Sequence, residues 1–370
     1  MNVPARSLAL TALLVASTPL AAAHVNDIVV DVGRGPITIH VPDSYDPAEP
    51  LPLIIALHGY SSSGASLEAW MQFEPLVNPY EFLYAAPDGT TDFLGFQFWN
   101  ATDACCNFGG SNVDDSGYLR ALMDAVKAQV SVDERRVYFV GHSNGGFMSY
   151  RMACDHADAV AAIASLAGAT YFNTAACTPS GPVHTLQVHG TADTTILYGG
   201  GTLVGVPYPG AVETTENWAT YDGCTLLPDN SAPNLDIDVT IPGDETLVTR
   251  YVDACLAGGA AELWTIAGGP HSPALTPDWA RLVVEWLYAH PKPGIDATRY
   301  CDPAVTNSSG QPAQIDALGS DSLAQNDLTL RATNLPQNMS GYFLTSLSPG
   351  FVAGPGGSSG DLCLGGTIGR

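Results

Sequence analysis

The chemistry in this chain is concentrated around a serine with glycines two places away on either side, Gly141-His142-Ser143-Asn144-Gly145. The element follows the apolar run VYFVG and opens a segment with helical patterning. A sharp strand-to-helix turn would push the Ser143 hydroxyl clear of the backbone, and the two glycines would let strand and helix approach closely. A serine hydroxyl is a weak nucleophile near neutral pH and needs a base within hydrogen-bond reach. His271 is the candidate base, in GGPHSP (268–273) directly after ELWTIAG. Asp193 closes HGTAD (189–193) after HTLQV. A carboxylate there can accept the second imidazole proton, fix the tautomer and stabilise the imidazolium. The chain order serine, acid, histidine is the one expected where a G-x-S-x-G turn sits on a parallel sheet.

Other groups fit these roles less well. His142 sits inside the turn, His184 and His189 flank a strand, His290 ends a helix, and His156 has no supporting motif. Asp222 and Asp253 lie on loops, while Asp114-Asp115 reads as a helix start, where carboxylates meet exposed N–H groups. A tetrahedral intermediate needs N–H donors for its oxyanion. Asn144, the residue after the nucleophile, should supply one, and Tyr60, after LIIALHG, the other. An aromatic series surrounds these loops: Tyr60, Phe93, Phe96, Phe98, Trp99, Tyr198, Tyr208 and Trp218. Trp99 and Tyr198 are the two expected at a substrate cleft.

The elements that must hold these residues can be read from hydrophobic period. Residues 28–41 alternate as IVVDV and ITIHV, an antiparallel hairpin at a sheet edge. LPLIIALHG (51–59), FLYAAPDG (82–89), RVYFVGHS (136–143), AAIASLAG (161–168), HTLQVHG (184–190) and AELWTIAGG (261–269) are runs of the buried parallel-strand kind. Helical patterns fall at 113–130, 144–154, 213–222 and 277–290. Strands alternating with helices predict an α/β fold: a mostly parallel sheet with helices on both faces. Ligands in such sheets gather beyond the carboxyl ends of the strands, where Ser143, Asp193 and His271 all fall.

The bulk numbers set limits. The 370 residues carry 37 acidic against 13 basic side chains, a formal charge of −24. That balance opposes binding to nucleic-acid phosphates or anionic membranes. Arg6, the apolar run Leu8–Val15 and Ala21-Ala22-Ala23 read as a signal peptide over residues 1–23, too short to span a bilayer. Export permits disulfides, and the cysteines are eight: Cys105, Cys106, Cys154, Cys177, Cys224, Cys255, Cys301 and Cys363. Connectivity does not follow from sequence; pairing neighbours (154–177, 224–255, 301–363) is the economical arrangement. Cys105 and Cys106 are left to form a vicinal bridge or stay reduced. Their spacings match no convincing zinc pattern, so neither a metal nor a cofactor is expected. The α/β pattern runs over 24–293 and stops at HPKPG (290–294). Residues 294–370 read as a small β-rich module with pieces such as DLTLRATNL and Gly/Ser turns.

Taken together and in order, LHGYSSSG, FWNATDACC, VDDSGYLRALMDAV, GHSNGGFMSYRMAC, HGTADTT and ELWTIAGGPHSP resemble the secreted polyhydroxybutyrate depolymerase and feruloyl esterase-like family of α/β-hydrolases. The likeness covers roughly residues 25–293. It implies an α/β-hydrolase fold, Ser143 as nucleophile, Asp193 as acid, His271 as base, Tyr60 at the oxyanion position and a Cys154–Cys177 pairing. The function it implies is ester hydrolysis through an acyl-enzyme. The first-choice substrate is a polyhydroxyalkanoate polyester; feruloyl or acetyl esters of polysaccharides come second. A reading from another class is a non-catalytic binding protein on a hydrolase scaffold, which a Ser143→Ala comparison would separate.

Overall fold

The computed structural model describes residues 25–293 and, beyond them, the backbone of four short strands. The chain begins with the hairpin β1 (Ile28–Asp31) and β2 (Pro36–Ile39), whose turn uses Gly33 and Gly35 at positive φ. Then come β3 (Leu51–Leu57), α1 (Gly64–Met71), α2 (Val77–Tyr80), β4 (Leu83–Ala85) and the small hairpin β5 (Thr90–Thr91) and β6 (Gln97–Phe98). The central part is α3 (Asp115–Lys127), β7 (Val132–His142), α4 (Asn144–Asp155), β8 (Ala162–Leu166) and β9 (His184–Gly190). After a second hairpin, β10 (Gly201–Leu203) and β11 (Val206–Tyr208), follow α5 (Ala211–Tyr221), β12 (Thr246–Tyr251), β13 (Ala261–Ile266) and α6 (Trp279–Tyr288).

Seven strands form one sheet in the order β12-β13-β9-β8-β7-β3-β4. All neighbours are parallel except β12, which runs antiparallel to β13 at the edge. The six continuous apolar runs are six of these strands, because a parallel strand covered on both faces has no polar side. The seventh, TLVTRY (246–251), was not expected from the sequence. It is an edge strand with exposed positions and gives no continuous apolar signal. The β1–β2 hairpin does lie at the opposite edge: His40 and Tyr84 exchange backbone hydrogen bonds of 2.8 and 3.0 Å, tying it to β4.

Alternation along β3 shows how the core is divided. Leu53, Ile55 and Leu57 pack on one face with Leu119 and Leu122 of α3, Phe147 of α4 and Trp218 of α5. Ile54 and Ala56 pack on the other with Leu67 and Met71 of α1 and Val283, Val284 and Leu287 of α6. Each such Leu, Ile, Val, Met or Phe side chain, fully buried, contributes roughly 1.5–3 kcal/mol relative to exposure. The start of α3 is set by Asp114, whose carboxylate accepts the Gly117 N–H at 2.8 Å. This is the helix-start role expected for that pair, and Asp115 adds a partly buried ion pair with Arg34.

Disulfides join Cys154 to Cys177, Cys224 to Cys255, and Cys105 to Cys106. The first two close loops with separations of 23 and 31 residues, worth roughly 3–4 kcal/mol each in the chain-entropy account. Beyond 293, strands β14 (Gln314–Leu318) and β15 (Thr329–Thr333) pair antiparallel, as do β16 (Thr345–Val352) and β17 (Leu362–Gly369). The expected signal peptide (1–23) and the Cys301–Cys363 bridge lie outside the described residues. No helix among the described residues is long and apolar enough to cross a membrane.

Candidate active site

Four loops leave the carboxyl ends of β3, β7, β9 and β13 on one side of the sheet. They carry Tyr60, Ser143, Asp193 and His271 respectively. Ser143 stands between β7 and α4 with φ 51° and ψ −117°, a conformation that costs of order 1–3 kcal/mol for a non-glycine residue. It is held there by its N–H, which donates to Leu166 O at 2.8 Å. The flanking glycines are required by space. A Cβ on Gly141 would stand 2.1 Å from Gly145 O, and one on Gly145 would stand 1.9 Å from Leu57 O. The hydroxyl makes no side-chain cap to its own helix and is left available at the head of α4, where the helix dipole favours negative charge.

Ser143 and His271 line one cavity of ≈ 520 Å³ with Gly59, Tyr60, Ser62, Trp70, His142, Thr195 and Ser272, within the usual size for small-molecule sites. His271 Nδ1 lies 2.7 Å from Asp193 Oδ2. The other carboxylate oxygen, Oδ1, accepts the N–H groups of Thr195 (2.8 Å) and Ile196 (2.9 Å). Burial pushes the Asp193 carboxyl up, but hydrogen bonds from His189, His271 and the backbone outweigh it and hold the group below its ordinary range. With Nδ1 bonded to a carboxylate, the His271 proton sits on Nδ1 and Nε2 is the basic nitrogen. Ser143 and His271 share the cavity without a direct hydrogen bond in this conformation; such bonds often tighten only once substrate is bound.

His142 supports the histidine loop instead of acting as a base. Its Nε2–H donates to His271 O at 3.0 Å. Burial, with the neighbouring His271 ring adding to it, drops its pKa to about 4, so it stays neutral. Trp70 packs edge-on against the His142 ring and donates its indole N–H to Pro273 O at 3.2 Å. Trp70, on α1 just after LHGYSSSG, was not singled out in the sequence, because no helical pattern was read there. Opposite, His58 steadies the Tyr60 loop: its Nδ1–H donates to Gly59 O at 2.8 Å and its Nε2 accepts Gly89 N–H at 2.9 Å. Among the described residues, the backbone N–H groups of Tyr60 and Asn144 donate to no protein acceptor. The Asn144 side chain is pinned by Trp99, accepting its N–H at 2.7 Å and donating to its carbonyl at 2.9 Å.

Two expectations are corrected. Trp99 is fully buried, stacked near His58 and Tyr118 with its indole N–H on His58 O at 3.1 Å, so it cannot meet substrate in this structure. Tyr198 does not line the cavity; its hydroxyl pairs with Thr265 Oγ1 at 2.8 Å and its ring meets His189 edge-on. Phe98, Tyr208 and Trp218 are core residues. Exposed apolar groups lie on the loops beside Tyr60: Phe93 (76% exposed), Leu94 (61%), Phe96 (44%) and Phe108 (45%). Tyr60 contacts both Phe96 and Phe108, with ring centroids 5.8 and 5.4 Å apart. Its hydroxyl, pushed up to about 12 chiefly by its hydrogen bond to Asp92, holds that aspartate at 2.6 Å. The remaining rivals are engaged elsewhere: His156 with Ser116, His184 with His290, Asp222 with Val183 N–H and Asp253 with Thr225. No group of three or more metal-ligating side chains occurs among the described residues.

A parallel sheet with an antiparallel edge, helices on both faces and a serine on a strained strand-to-helix turn define an α/β-hydrolase. Residues 33–249, more than half of the chain, match the family model described as "Putative esterase", and the chain belongs to that esterase family. The match includes Ser143 and Asp193 and ends before His271. Feruloyl esterase B of Piromyces equi is 27% identical over 244 residues, 64% of this chain and 42% of that protein. Poly(3-hydroxyalkanoate) depolymerase C of Paucimonas lemoignei is 31% identical over 160 residues, 42% of this chain and 36% of that protein. The chain thus spans less than half the length of each of these relatives. Among solved structures, acetyl xylan esterase from Aspergillus awamori aligns at 20% identity and a TM-score of 0.47, covering 68% of this chain and 93% of that one.

Proposed function

We propose that the protein is an exported serine esterase that cleaves carboxylic esters through an acyl-enzyme. The observation that carries this reading is the 2.7 Å Asp193–His271 hydrogen bond at a cavity that also holds Ser143 on its strained turn. His271 Nε2 takes the hydroxyl proton as Ser143 Oγ attacks the ester carbonyl. The oxyanion forms against the N–H groups of Tyr60 and Asn144, donors of a kind worth about 10²–10³ in rate each. His271 then protonates the leaving alcohol. Water, deprotonated by the same ring, attacks the acyl-enzyme and releases the acid, restoring Ser143. Asp193 keeps the ring in the Nδ1–H tautomer and stabilises the imidazolium between the steps. The disulfides fit an oxidising compartment and support export.

The substrate class is a polyester of 3-hydroxyalkanoates or its oligomers. The exposed Phe93, Leu94, Phe96 and Phe108 on the loops beside Tyr60 support it, because a small ester held in the cavity would leave them uncovered. The named depolymerase relative agrees with this choice. A feruloyl or acetyl esterase is the second reading, favoured by the longer alignment to feruloyl esterase B. Purified protein is to be offered polyhydroxybutyrate film, methyl ferulate and p-nitrophenyl butyrate, with Ser143→Ala alongside. Release of hydroxy acids from film, lost in the variant, is expected. Methyl ferulate turnover well above film turnover would overturn the polyester choice, and an unaffected Ser143→Ala would overturn the esterase itself.

A further inference from the structure

His189 is buried and belongs to none of the steps above, yet its ring lies between two polar groups of the site. Its Nε2 is 2.7 Å from Ile196 O and 3.3 Å from Asp193 Oδ2. Its Nδ1 is 3.0 Å from Gln187 Nε2. The orientation of that amide is determined by its other partners. Gln187 Nε2 also lies 2.8 Å from Gly168 O, a carbonyl that can only accept, and Gln187 Oε1 takes the Tyr150 hydroxyl at 2.9 Å. The amide nitrogen therefore donates to both Gly168 O and His189 Nδ1. His189 Nδ1 is an acceptor, and the single ring proton is on Nε2, shared between Ile196 O and Asp193.

We propose that His189 is a positioning residue for the acid of the triad, its Nε2–H clamping the 193–196 loop through Ile196 O and standing 3.3 Å from Asp193 Oδ2. The loop has three fixed points as a result. Oδ1 is held by two backbone N–H groups, Oδ2 by His271 with His189 Nε2 3.3 Å away, and the far end of the turn by the His189–Ile196 bond. A carboxylate held on both oxygens has little freedom to swing, and the imidazole bonded to it inherits that orientation. The chain from Tyr150 on α4 through Gln187 on β9 makes the clamp part of the core rather than of a mobile loop.

This inference rests on the triad proposed above, and its test separates the two. Steady-state kinetics on p-nitrophenyl butyrate are measured for wild type, Ser143→Ala, Asp193→Asn, His189→Leu, His189→Gln and the double variant His189→Leu/Asp193→Asn. His189→Leu is expected to lower kcat by roughly 10–100-fold, the scale of a misplaced catalytic group, with KM within about twofold. His189→Gln, which keeps an N–H donor near the Nε2 position, is expected to recover most of the lost kcat. In the Asp193→Asn background the leucine substitution should add less than about twofold, because a residue acting through Asp193 has nothing left to position. Should the leucine variant fail to fold, His189→Asn, too short to reach Asp193, takes its place in the same cycle. Losses that multiply in the double variant, or a glutamine variant no better than leucine, would overturn the clamp. A full rate in Ser143→Ala or Asp193→Asn would instead overturn the triad.

Discussion

Replacing Asp193 by asparagine tests the proposed mechanism with the smallest change of shape. Oδ1 accepts from Thr195 and Ile196 at 2.8 and 2.9 Å, so the asparagine carbonyl oxygen must take that place. Its NH₂ group is then forced into the position of Oδ2, 2.7 Å from His271 Nδ1. A donor there obliges Nδ1 to accept, which moves the ring proton to Nε2. The nitrogen facing the cavity then carries a proton and cannot take one from Ser143. The NH₂ group also faces the His189 Nε2–H at the 3.3 Å position, so one favourable contact becomes a donor–donor clash. A wrong-tautomer histidine costs about 10⁴ in kcat, or ~5.4 kcal/mol of barrier at 1.36 kcal/mol per tenfold. The cavity is unchanged, so KM should move little. The assay is p-nitrophenyl butyrate hydrolysis at saturation and pH 8, with circular dichroism to confirm folding. A folded variant retaining more than a tenth of wild-type kcat would refute the tautomer argument.

Other outcomes follow from the same geometry. Ser143→Ala should lose ester hydrolysis by about 10⁴-fold or more, read by the same assay with a long incubation. Gly145→Ala drives a Cβ to 1.9 Å from Leu57 O, an overpacking cost of about 3 kcal/mol or more, visible as a large fall in melting temperature or as insoluble protein. Asp193, with its folded pKa depressed, contributes stability present above its unfolded pKa and lost as pH falls through the folded one. The melting-temperature gap between wild type and Asp193→Asn should therefore be widest near pH 6 and shrink towards pH 3; a gap that is flat with pH would contradict this. Phe93→Ser with Phe96→Ser removes two exposed rings from the loop beside Tyr60. Loss of ~1.4 kcal/mol of apolar contact predicts a roughly tenfold larger fall on film than on p-nitrophenyl butyrate, and equal falls on both would discard these rings as a polymer contact.

Much of the site could be read along the chain because its parts are local. The turn at Ser143 needs glycine at 141 and 145 within five residues, and Asp193 and His271 each directly follow a run that is apolar because both sheet faces are covered. Strand type, the placement of α3 to α6 and the α/β class were legible for the same reason, since period and caps are written within a dozen residues, while α1 and α2 were not expected. What failed depended on distant neighbours. Trp99 looks like a cleft residue by composition, but the path of the 97–106 segment folds it under Asn144 and against His58. Phe93 and Phe96, in the same aromatic series, face outward on the turn of a short hairpin. Strand β12 carries no strong signal, since an edge strand needs only one covered side.

The sequence by itself determined which groups can react and which strands carry them, since side-chain chemistry and hydrophobic period are properties of short stretches. Only the tertiary structure decided which of those groups meet. Bond angles and burial between residues 143, 193 and 271 depend on strand order across the sheet, and no local pattern encodes strand order. The surroundings of Asp193 were decided in part the same way: His189 and Gln187 lie on β9 just before its loop, but Tyr150 reaches Gln187 from α4 only in the folded chain.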